Sequence, residues 1–526
     1  MPIMQDCRLP AWIGRGWLVG IALACAGAAS GEEPPKFTLL HSFRRSAQDG
    51  RLPQGSLAAA DGALFGMTSL GGAGNKGVVF RMNPDGTGYR VLRHFTGAAP
   101  DGANPDSGTL TPSGRTLYGM THGGGAHGIG TLFRLQADGT GYANLHDFQS
   151  GPLDGACPKG SLTLADGFLY GLTSLGGAVG FGNGTLFRMQ PNGAGYTNLH
   201  SFGESGDGIA PAGSLAVGGD WLYGMTLMGG AHGRGTVFRI RRDGSGYRVL
   251  RSFRGGADDG ADPYGSPVVA GSVLYGMTYS GGAGHGAVFR MNTDGTGFSL
   301  LHRFAGWPSD AAHPTGDLTL DGDTLCGMAL SGGARNNWRG AVFRIRTDGT
   351  GYSIVHNFAG QVHNGAGPHG SLLLQDGRLF GLASGGGQDN AGALFSLDFH
   401  PPAGPDIQAN SADGVVRLAA GERVIVTVSM RPGALEGYLA DWWVAARAGA
   451  DWYALDPRLN WVPVSAWDQI RPVYQGALVS LWPTVILNSA SLPHGDYVVY
   501  MAVDPLDGRL NPEGPIWSDA VSLAIR

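Results

Sequence analysis

Apolar, small and polar residues recur in one fixed order along most of the chain. The nine-residue segment Leu64–Gly72, which ends in a double glycine, is repeated at residues 117–125, 169–177, 222–230, 274–282, 325–333 and 379–387. A short apolar stretch follows each copy, and its phenylalanines are Phe80, Phe133, Phe187, Phe238, Phe289, Phe343 and Phe395. They lie 53, 54, 51, 51, 54 and 52 residues apart. A fixed period of this length predicts one repeat architecture rather than several unrelated domains.

Within each repeat, short alternating stretches predict four β-strands. In the second repeat they are residues 108–110, 116–121, 130–135 and 142–148. Between the last two lies Asp138-Gly-Thr-Gly141, a sequence typical of a tight hairpin turn. The chain has no sustained 3.6-residue periodicity, so helices should be nearly absent. Four antiparallel strands per repeat predict a β-propeller.

The two ends of the array predict how the ring closes. The seventh repeat, residues 392–399, runs into His400-Pro-Pro without the hairpin turn and the fourth strand of the other repeats. Phe37–Phe43 aligns residue by residue with the fourth strand Tyr142–Phe148 and precedes the first repeat. Pairing of Phe37–Phe43 with the last blade would leave no open sheet edge. The predicted fold is all-β, with a seven-bladed β-propeller over residues 37–399.

These repeats resemble a known family. The order Leu-Tyr-Gly-Met-Thr and double glycine, then Gly-Thr-Val-Phe-Arg, then Asp-Gly-Thr-Gly-Tyr resembles the GloVer-type tandem repeat over about residues 37–399. The layout is also similar to kelch repeats, with a double glycine after the second strand and an aromatic residue opening the fourth. The GloVer resemblance implies an exported bacterial protein at a surface or outside the cell, and it implies no particular activity.

The segments on either side of the repeats predict three further regions. Arg8 and Arg15, an apolar run and small residues up to Ser30 are typical of a secretory signal peptide over residues 1–30, with a lipoprotein signal at Cys25 as the alternative. Residues 400–406 are rich in proline and predict a linker. Residues 407–526 alternate in polarity and predict a β-sandwich-like domain. Its tryptophans suit either a sugar-stacking face or the core of the sandwich.

Composition excludes several classes of function. Charged residues are 15% of the chain and the net charge is −5, so the basic footprint of a nucleic-acid-binding protein is missing. No apolar stretch outside the predicted signal peptide reaches the length of a membrane span. Removal of that peptide would leave Cys157 and Cys326, which are too few for a disulfide framework. We expect an exported monomer in the periplasm, outside the cell or at the cell surface.

Residues present in every repeat predict a structural role, whereas residues that differ between repeats predict function. The repeated acids Asp49, Asp101, Asp154, Asp207, Asp259 and Asp310, with Asn364, are expected to accept hydrogen bonds from their own turns. Strand parity places the double-glycine loop and the Asp-Gly loop of each repeat on one face, which is the expected ligand face. Its irregular residues, our candidate ligand contacts, are His122, His127, His232, His285, Trp307, His313, Arg335, Asn337, Trp338 and His363.

The sequence identifies no catalytic constellation. His127, His232 and His285 occupy equivalent loops and could bind zinc or copper if they converged, but a solvated histidine is the more ordinary role in such loops. We therefore expect no metal and no cofactor, and the catalytic residues stay unknown. The favoured function is an exported binding or adhesion protein whose ligand is a polysaccharide or a protein of the cell surface. The alternative is a secreted carbohydrate-active enzyme, a lyase or a hydrolase, with its site at the propeller mouth.

Overall fold

The computed structural model is an all-β chain of many small antiparallel sheets. It describes residues 35–399 except 107, 181, 334–338 and 361–363, and, within 404–525, the strands given below with residues 465 and 472. No helix occurs in these residues. The described residues divide into two compact units, one of which is Leu39–Leu397 and the other of which contains the strands after it.

Each repeat forms one antiparallel sheet, numbered here 1 to 7 in chain order. Five sheets have four strands and two have five. The first strands are Ala58–Ala60, Thr111–Ser113, Gly155–Ala165, Ala216–Gly218, Val268–Ala270, Thr319–Asp321 and Leu373–Gln375. The second strands are Ala63–Thr68, Thr116–Thr121, Phe168–Gly176, Trp221–Thr226, Val273–Thr278, Thr324–Gly332 and Arg378–Gly386. The third strands are Val78–Met82, Thr131–Gln136, Thr185–Met189, Thr236–Arg241, Ala287–Asn292, Ala341–Arg346 and Ala393–Asp398. The fourth strands of sheets 1 to 6 are Arg90–His94, Ala143–Asp147, Thr197–Ser201, Arg248–Ser252, Ser299–Arg303 and Ser353–Asn357.

The seventh sheet takes its outer strand from the other end of the chain. Lys36–Ser42 is hydrogen-bonded to Ala393–Asp398, the third strand of sheet 7. Just beyond it, the Phe43 N–H donates to the Gly392 carbonyl oxygen at 3.0 Å. The ring of Phe43 is fully buried and lies 5.3 Å from the ring of Phe80 in sheet 1. The N-terminal strand therefore joins the last sheet of the array to the first.

A glycine and a phenylalanine explain why the second and third strands repeat so strictly. In sheet 2, Gly119 pairs with Phe133, and a Cβ atom on Gly119 would lie 2.5 Å from Phe133 Cζ. The glycine therefore leaves room for the phenylalanine ring to cover it. All seven of these phenylalanines are fully buried. Burial of one such side chain is worth roughly 1.5–3 kcal/mol, so this pair is a principal source of stability in every sheet.

Neighbouring sheets approach closely at one glycine of each repeat, which precedes the first strand in six sheets and lies within it in sheet 3. A Cβ atom on Gly55 would collide with the carbonyl oxygen of Gly108, and the same relation continues through Gly160, Gly213, Gly265, Gly316 and Gly370 back to Gly55. The contacts therefore pass once through all seven sheets and return to the first. This approach corrects the predicted first strand of sheet 2, which begins at Thr111 rather than at residue 108. The Thr109 N–H donates to Ser161 Oγ of the next sheet at 2.8 Å and is not available to the ladder.

The strands after residue 403 form two sheets. One has the order Gly404–Ala409, Val424–Arg431, Leu481–Ser489, and the other contains Gly414–Leu418, Trp517–Ile525, Gly495–Pro505, Leu439–Ala448, Asp451–Leu455, Trp461–Val464 and Tyr474–Ala477. Residues 404–406, predicted as linker, belong to the first edge strand, where a proline is tolerated because one side of the strand is unpaired. Trp442 and Trp443 are buried, which fits a core role for these two tryptophans.

Candidate functional site

The two long loops of each repeat lie side by side on one face. In sheet 2, Gly123–Gly124 of the double-glycine loop pairs with Gly102–Ala103 of the preceding Asp-Gly loop. The same pairing joins Gly50–Arg51 to Leu70–Gly71, Gly208–Ile209 to Met228–Gly229, and Gly260–Ala261 to Ser280–Gly281. In sheets 6 and 7 the Asp-Gly strands Ala311–Pro314 and Gly365–Pro368 pair with the extended second strands. We call the surface formed by these loops the long-loop face.

The repeated aspartates of this face are buried and accept several hydrogen bonds each. Asp154 accepts hydrogen bonds from Gly155 N at 2.8 Å, from Gln149 N at 3.1 Å and from His146 Nε2 at 3.1 Å. Burial alone would raise the pKa of Asp154, but the hydrogen bonds from His146 and from the Gln149 N–H outweigh it and hold the pKa below its usual value. The acid therefore stays charged and satisfied inside the loop.

Each of these acids also joins two sheets. The ring of His146, from the fourth strand of sheet 2, stacks on Tyr196 of sheet 3 with centroids 4.1 Å apart. Equivalent pairs of a basic fourth-strand side chain and a loop acid are His41–Asp49, Arg93–Asp101, His200–Asp207, Arg251–Asp259 and His302–Asp310, and His356–Asn364 is the pair in which an amide replaces the acid. The arrangement recurs at every junction between neighbouring sheets, which we call a seam, and it therefore stabilises the contact between them.

One position of the Asp-Gly loop differs in every repeat. It is the residue that follows the loop proline, and its seven occupants are Gln54, Asp106, Lys159, Ala212, Tyr264, Thr315 and His369. A second position lies beside it and follows the Thr or Ala that precedes the double-glycine loop. Its seven occupants are Ser69, His122, Ser174, Leu227, Tyr279, Leu330 and Ser384. The two positions touch in sheet 1, where Ser69 Oγ donates to Gln54 Oε1 at 2.8 Å. We call these fourteen residues the mouth.

A narrow cavity lies below the mouth and is closed to a sugar-sized ligand. Gln54, Ala212, Tyr264, Thr315 and His369 line it from the mouth, and its volume is about 40 Å³, enough for a few water molecules. The cavity is also lined by a belt in which each N–H donates to the next sheet: Ser161 N to Ser214 Oγ at 2.7 Å, Ser214 N to Ser266 Oγ at 2.5 Å and Ser371 N to Ser56 Oγ at 2.7 Å. A sugar-sized ligand therefore does not fit inside this cavity.

A carboxylate occupies one position of this belt. Asp317 stands where the other described repeats have Ser or Thr, and its Oδ1 accepts from Ser266 N at 2.5 Å. Asp317 N in turn donates to Ser371 Oγ at 2.8 Å, so the belt continues through it. Burial raises the pKa of Asp317 despite hydrogen bonds from Ser266 and Ser371. The carboxylate lies below the mouth and takes part in the contact between sheets.

The mouth is polar on one side and apolar on the other. Sheets 7, 1, 2 and 3 contribute His369, Gln54, Asp106 and Lys159, whereas sheets 4 to 6 contribute Ala212, Leu227, Tyr264, Tyr279 and Leu330 together with the polar Thr315. Lys159 Nζ lies 5.9 Å from the ring centroid of Tyr264, and the rings of Tyr264 and Tyr279 are 6.2 Å apart. The two sides therefore meet across a short distance.

Two histidines on the polar side are neutral at ordinary pH. Burial lowers the pKa of His122, and the nearby Lys159 lowers it further against the opposite effect of Asp106. Burial likewise lowers the pKa of His369, again opposed by Asp106. Neutral imidazoles can both donate and accept hydrogen bonds, which suits the recognition of hydroxyl groups.

The family of this chain follows from its repeats. The model of the Gloeobacter/Verrucomicrobia repeat matches residues 30–233 and 220–404. The chain belongs to this repeat family. No curated protein matches it. Among the described residues, no helix has the length and apolar character needed to span a membrane.

Solved structures that resemble this Gloeobacter/Verrucomicrobia repeat protein are distant in sequence. A puromycin-hydrolyzing peptidase of Mycobacterium tuberculosis aligns at 11% identity with a TM-score of 0.44, over 77% of this chain and 64% of the peptidase, less than two thirds of its length. The β-propeller domain of the Trilobed protease from Pyrococcus furiosus aligns at 8% identity with a TM-score of 0.38, over 66% of this chain and 94% of that domain. The polysaccharide lyase Uly1 aligns at 8% identity with a TM-score of 0.37, over 70% of this chain and 98% of the lyase.

The candidate residues of the repeat protein fall into three groups. His122 belongs to the mouth, and His285 and His313 lie close together with ring centroids 5.4 Å apart. His127 and His232 are exposed on outer loops, and Trp307 is 54% exposed. The remaining candidates lie outside the described residues: Arg335, Asn337, Trp338 and His363.

The three histidines considered as metal ligands do not converge. Within the part of the chain that the structure describes, no three His, Cys, Asp or Glu side chains are grouped as a metal site. His285 instead packs against Gly306, whose Cβ position would lie 2.8 Å from the imidazole ring. The loops that carry these histidines pack on the next Asp-Gly loop, because Cys157 N donates to Ile129 O, Asp262 N to Arg234 O and His313 N to His285 O.

Sequence reasoning missed most of the mouth. Asp106, Lys159, Tyr264, Tyr279 and His369 were not candidates, although each stands at a position where the repeats disagree. The signal was present, because the proline before the first of these positions is constant while the residue after it takes seven different identities. Aligning the loops column by column would have found them.

Proposed function

We propose that the seven sheets are the blades of a β-propeller that the strand Lys36–Ser42 closes. The circular series of glycine contacts and the pairing of this strand with sheet 7 support the proposal. Residues 407–526 then form a β-sandwich-like domain of their own. We further propose that residues 1–30 are a signal peptide and that the protein is an exported monomer in the periplasm, outside the cell or at its surface.

We propose that the protein binds a polysaccharide through the mouth of the long-loop face. The observation that carries this proposal is the division of the mouth into an aromatic and apolar side and a polar side. A pyranose ring has an apolar face of C–H groups and an edge of hydroxyl groups. Tyr264 and Tyr279 offer flat apolar surfaces for the first, while Gln54, Asp106 and His369 offer donors and acceptors for the second.

The small volume of the cavity below the mouth supports binding at the outer surface. The cavity below is too small for a sugar, so a long chain can pass over the mouth without threading an end into it. A rigid ring of sheets also keeps the side chains of the mouth in place before the ligand arrives. Such preorganisation reduces the entropy that binding must overcome.

A glycan array with the purified mature protein tests this function, and calorimetry with its hits follows. We expect Tyr264→Ala to weaken binding at least tenfold and Tyr264→Phe to change it less than twofold, because the ring surface and not the hydroxyl makes the contact. Trp307→Ala, on an outer loop, is the matched aromatic control. A protein that binds no glycan, or that binds equally well with Tyr264→Ala, would contradict the proposal.

A second candidate function is a secreted lyase or hydrolase that acts at the same mouth. The observation that favours it is Asp106, a carboxylate of the mouth without an equivalent in other repeats and within electrostatic range of two neutral histidines, His122 and His369. A carboxylate and an imidazole together can perform acid–base chemistry. Product analysis of the array hits distinguishes the two functions, since an enzyme would release shorter chains and lose this activity in Asp106→Asn while still binding.

A further inference from the structure

A groove on the long-loop face lies beside the aromatic side of the mouth. It has a volume of about 280 Å³ between the loops of sheets 4 and 5. Arg234 and Arg254 line it together with Ser280 and several glycines. Because glycine has no side chain, backbone atoms line part of the groove. The volume approaches the lower end of small-molecule sites and fits one sugar residue or its substituent.

The two arginines of the groove are only weakly neutralised. Arg234 Nη1 lies 3.9 Å from Asp262 Oδ2, which is longer than a hydrogen bond, and the Arg234 side chain is 58% exposed. Arg254 Nε lies 3.5 Å from Asp259, but that acid already holds Arg251 Nη2 at 2.8 Å. Both guanidinium groups therefore keep donors for a ligand.

The charges around the groove leave a positive surplus on a chain that is negative overall. Asp258 is matched by Arg303 at 3.0 Å, so Arg234, Arg251, Arg254 and Arg303 face only Asp258, Asp259 and Asp262. The chain as a whole has a net charge of −5. An anionic group would meet a locally favourable potential here, and the planar guanidinium group is well matched to carboxylate and sulfate oxygens.

The groove is continuous with the mouth. The Asp262 N–H donates to the Arg234 carbonyl oxygen at 2.9 Å, and Tyr264 of the mouth follows Asp262 by two residues. A chain whose ring lies on Tyr264 would therefore extend over Arg234 toward Arg254. We propose that this groove binds the carboxylate or sulfate group of an acidic polysaccharide, an inference that rests on the proposed binding of a polysaccharide at the mouth.

Matched oligosaccharides test the inference. The probes are tetragalacturonate and tetramannuronate, each as the acid and as the methyl ester, and a chondroitin tetrasaccharide with and without sulfate. Calorimetry at low salt is expected to show at least tenfold tighter binding of a uronate acid than of its methyl ester, or of the sulfated chondroitin than of its unsulfated form, which keeps its carboxylates. The double variant Arg234→Gln, Arg254→Gln should bind the acidic probe only as tightly as the wild type binds its ester. Its affinity for the ester should equal that of the wild type. Arg248→Gln, an exposed arginine at the tight-turn end of sheet 4, is the control for the loss of positive charge.

The outcomes separate this inference from the function on which it rests. A preference for the carboxylates, for the sulfate or for both identifies the anionic group and supports the groove, provided that the double variant abolishes it. Equal binding within every pair of probes, or a preference that persists in the double variant, contradicts the proposed anion-binding groove. It leaves the proposed binding at the mouth unaffected. If no probe binds although the glycan array gives hits, the groove proposal is wrong and the binding function stands; if the array gives no hits either, both proposals are wrong. Thermal melts of the variants should match the wild type, because both side chains are exposed.

Discussion

His356 Nε2 lies 3.2 Å from Asn364 Oδ1, at the only one of the seven described seams where an amide replaces the aspartate. The equivalent His200 Nε2 is 2.9 Å from Asp207 Oδ2. Burial lowers the pKa of His356 to about 4, although the hydrogen bond to Asn364 opposes this, so the imidazole is neutral at pH 7. One junction of the ring is thus uncharged, while the others depend on a charged acid.

The neutral His356 should make the protein sensitive to mild acid. Its pKa is about 4 in the folded state and 6.5 ordinarily, so the unfolded chain binds a proton first as the pH falls. The stability that neutral His356 provides is complete above pH 6.5, falls between pH 6.5 and pH 4, and is lost below that range. The pKa difference corresponds to about 3 kcal/mol. Urea unfolding at pH 7.5, 6, 5 and 4 measures the loss.

The variant His356→Gln keeps a donor to Asn364 but does not titrate. We expect it to be less stable than the wild type at pH 7.5 and to lose less stability between pH 6.5 and pH 4. The acidic seams contribute equally to both proteins, so the difference between the two curves isolates His356. Parallel curves for the two proteins would mean that His356 is not held neutral.

The charged seams should be far more sensitive to substitution than the exposed turns. Asp310 accepts from His302 Nε2 and Ala305 N, each at 2.9 Å, and from the Tyr352 hydroxyl. Burial alone would raise its pKa, but the bonds from His302 and Tyr352 hold it below the usual value. Asp310→Asn removes the charge and turns one acceptor into a donor that faces His302. We expect a loss of about 2–4 kcal/mol in the free energy of unfolding at pH 7.

Asp348→Asn is the matched control for Asp310→Asn. Asp348 Oδ1 accepts from Thr350 N and Oγ1 in the exposed hairpin turn of sheet 6, and an asparagine offers the same oxygen. The control should melt at the wild-type midpoint. Similar midpoints for Asp310→Asn and the wild type would show that the seam acids are dispensable. Since the pKa of Asp310 is lowered, its contribution should also fade in the wild type as the pH falls through that value.

The repeat pattern predicted the sheets because equivalent residues have the same structural role in every repeat. The glycine of the second strand must be small wherever Phe133 and its equivalents lie over it, and the turn at Asp138 needs positive φ at Gly139 and Gly141. Such steric requirements place the same residue type at the same position of every repeat. The strand Phe37–Phe43 was recognisable for the same reason, since Phe43 fills the place of Phe148 in its own sheet.

The candidate site was harder to predict from the sequence because its residues differ from one repeat to the next. Lys159 and Tyr264 lie in different sheets, and only the closed series of glycine contacts brings them within 5.9 Å of each other. The histidines drew notice for their chemistry, yet His127 and His232 belong to outer loops. Distance from the centre is a property of the ring as a whole and not of any one loop. Arg234 and Arg254 likewise become a pair only when two loops pack together.

The glycines between neighbouring sheets should tolerate no side chain. A Cβ atom on Gly213 would collide with the carbonyl oxygen of Gly265, which is backbone and cannot rotate away. Gly213→Ala should therefore force two sheets apart and cost about 3 kcal/mol, at the upper end for overpacking. Gly182→Ala is the control, because a Cβ atom there meets nothing within 4 Å. Equal denaturant midpoints for the two variants would argue against close contact between the sheets.

The N-terminal strand should be as important as any inner strand, in contrast to most chain termini. Phe43 and Phe148 are both fully buried, and they lie 5.3 Å from Phe80 and 5.5 Å from Phe187 respectively. If Lys36–Ser42 closes the ring, Phe43→Ala and Phe148→Ala should each cost about 3–5 kcal/mol, as buried phenylalanines usually do. A protein truncated to begin at Arg44 should lose more than either variant, because it also exposes the edge of Ala393–Asp398 to other chains. Urea unfolding and size-exclusion chromatography test this expectation. A Phe43→Ala midpoint at the wild-type value, together with a monomeric truncated protein, would mean that the ring holds without its N-terminal strand.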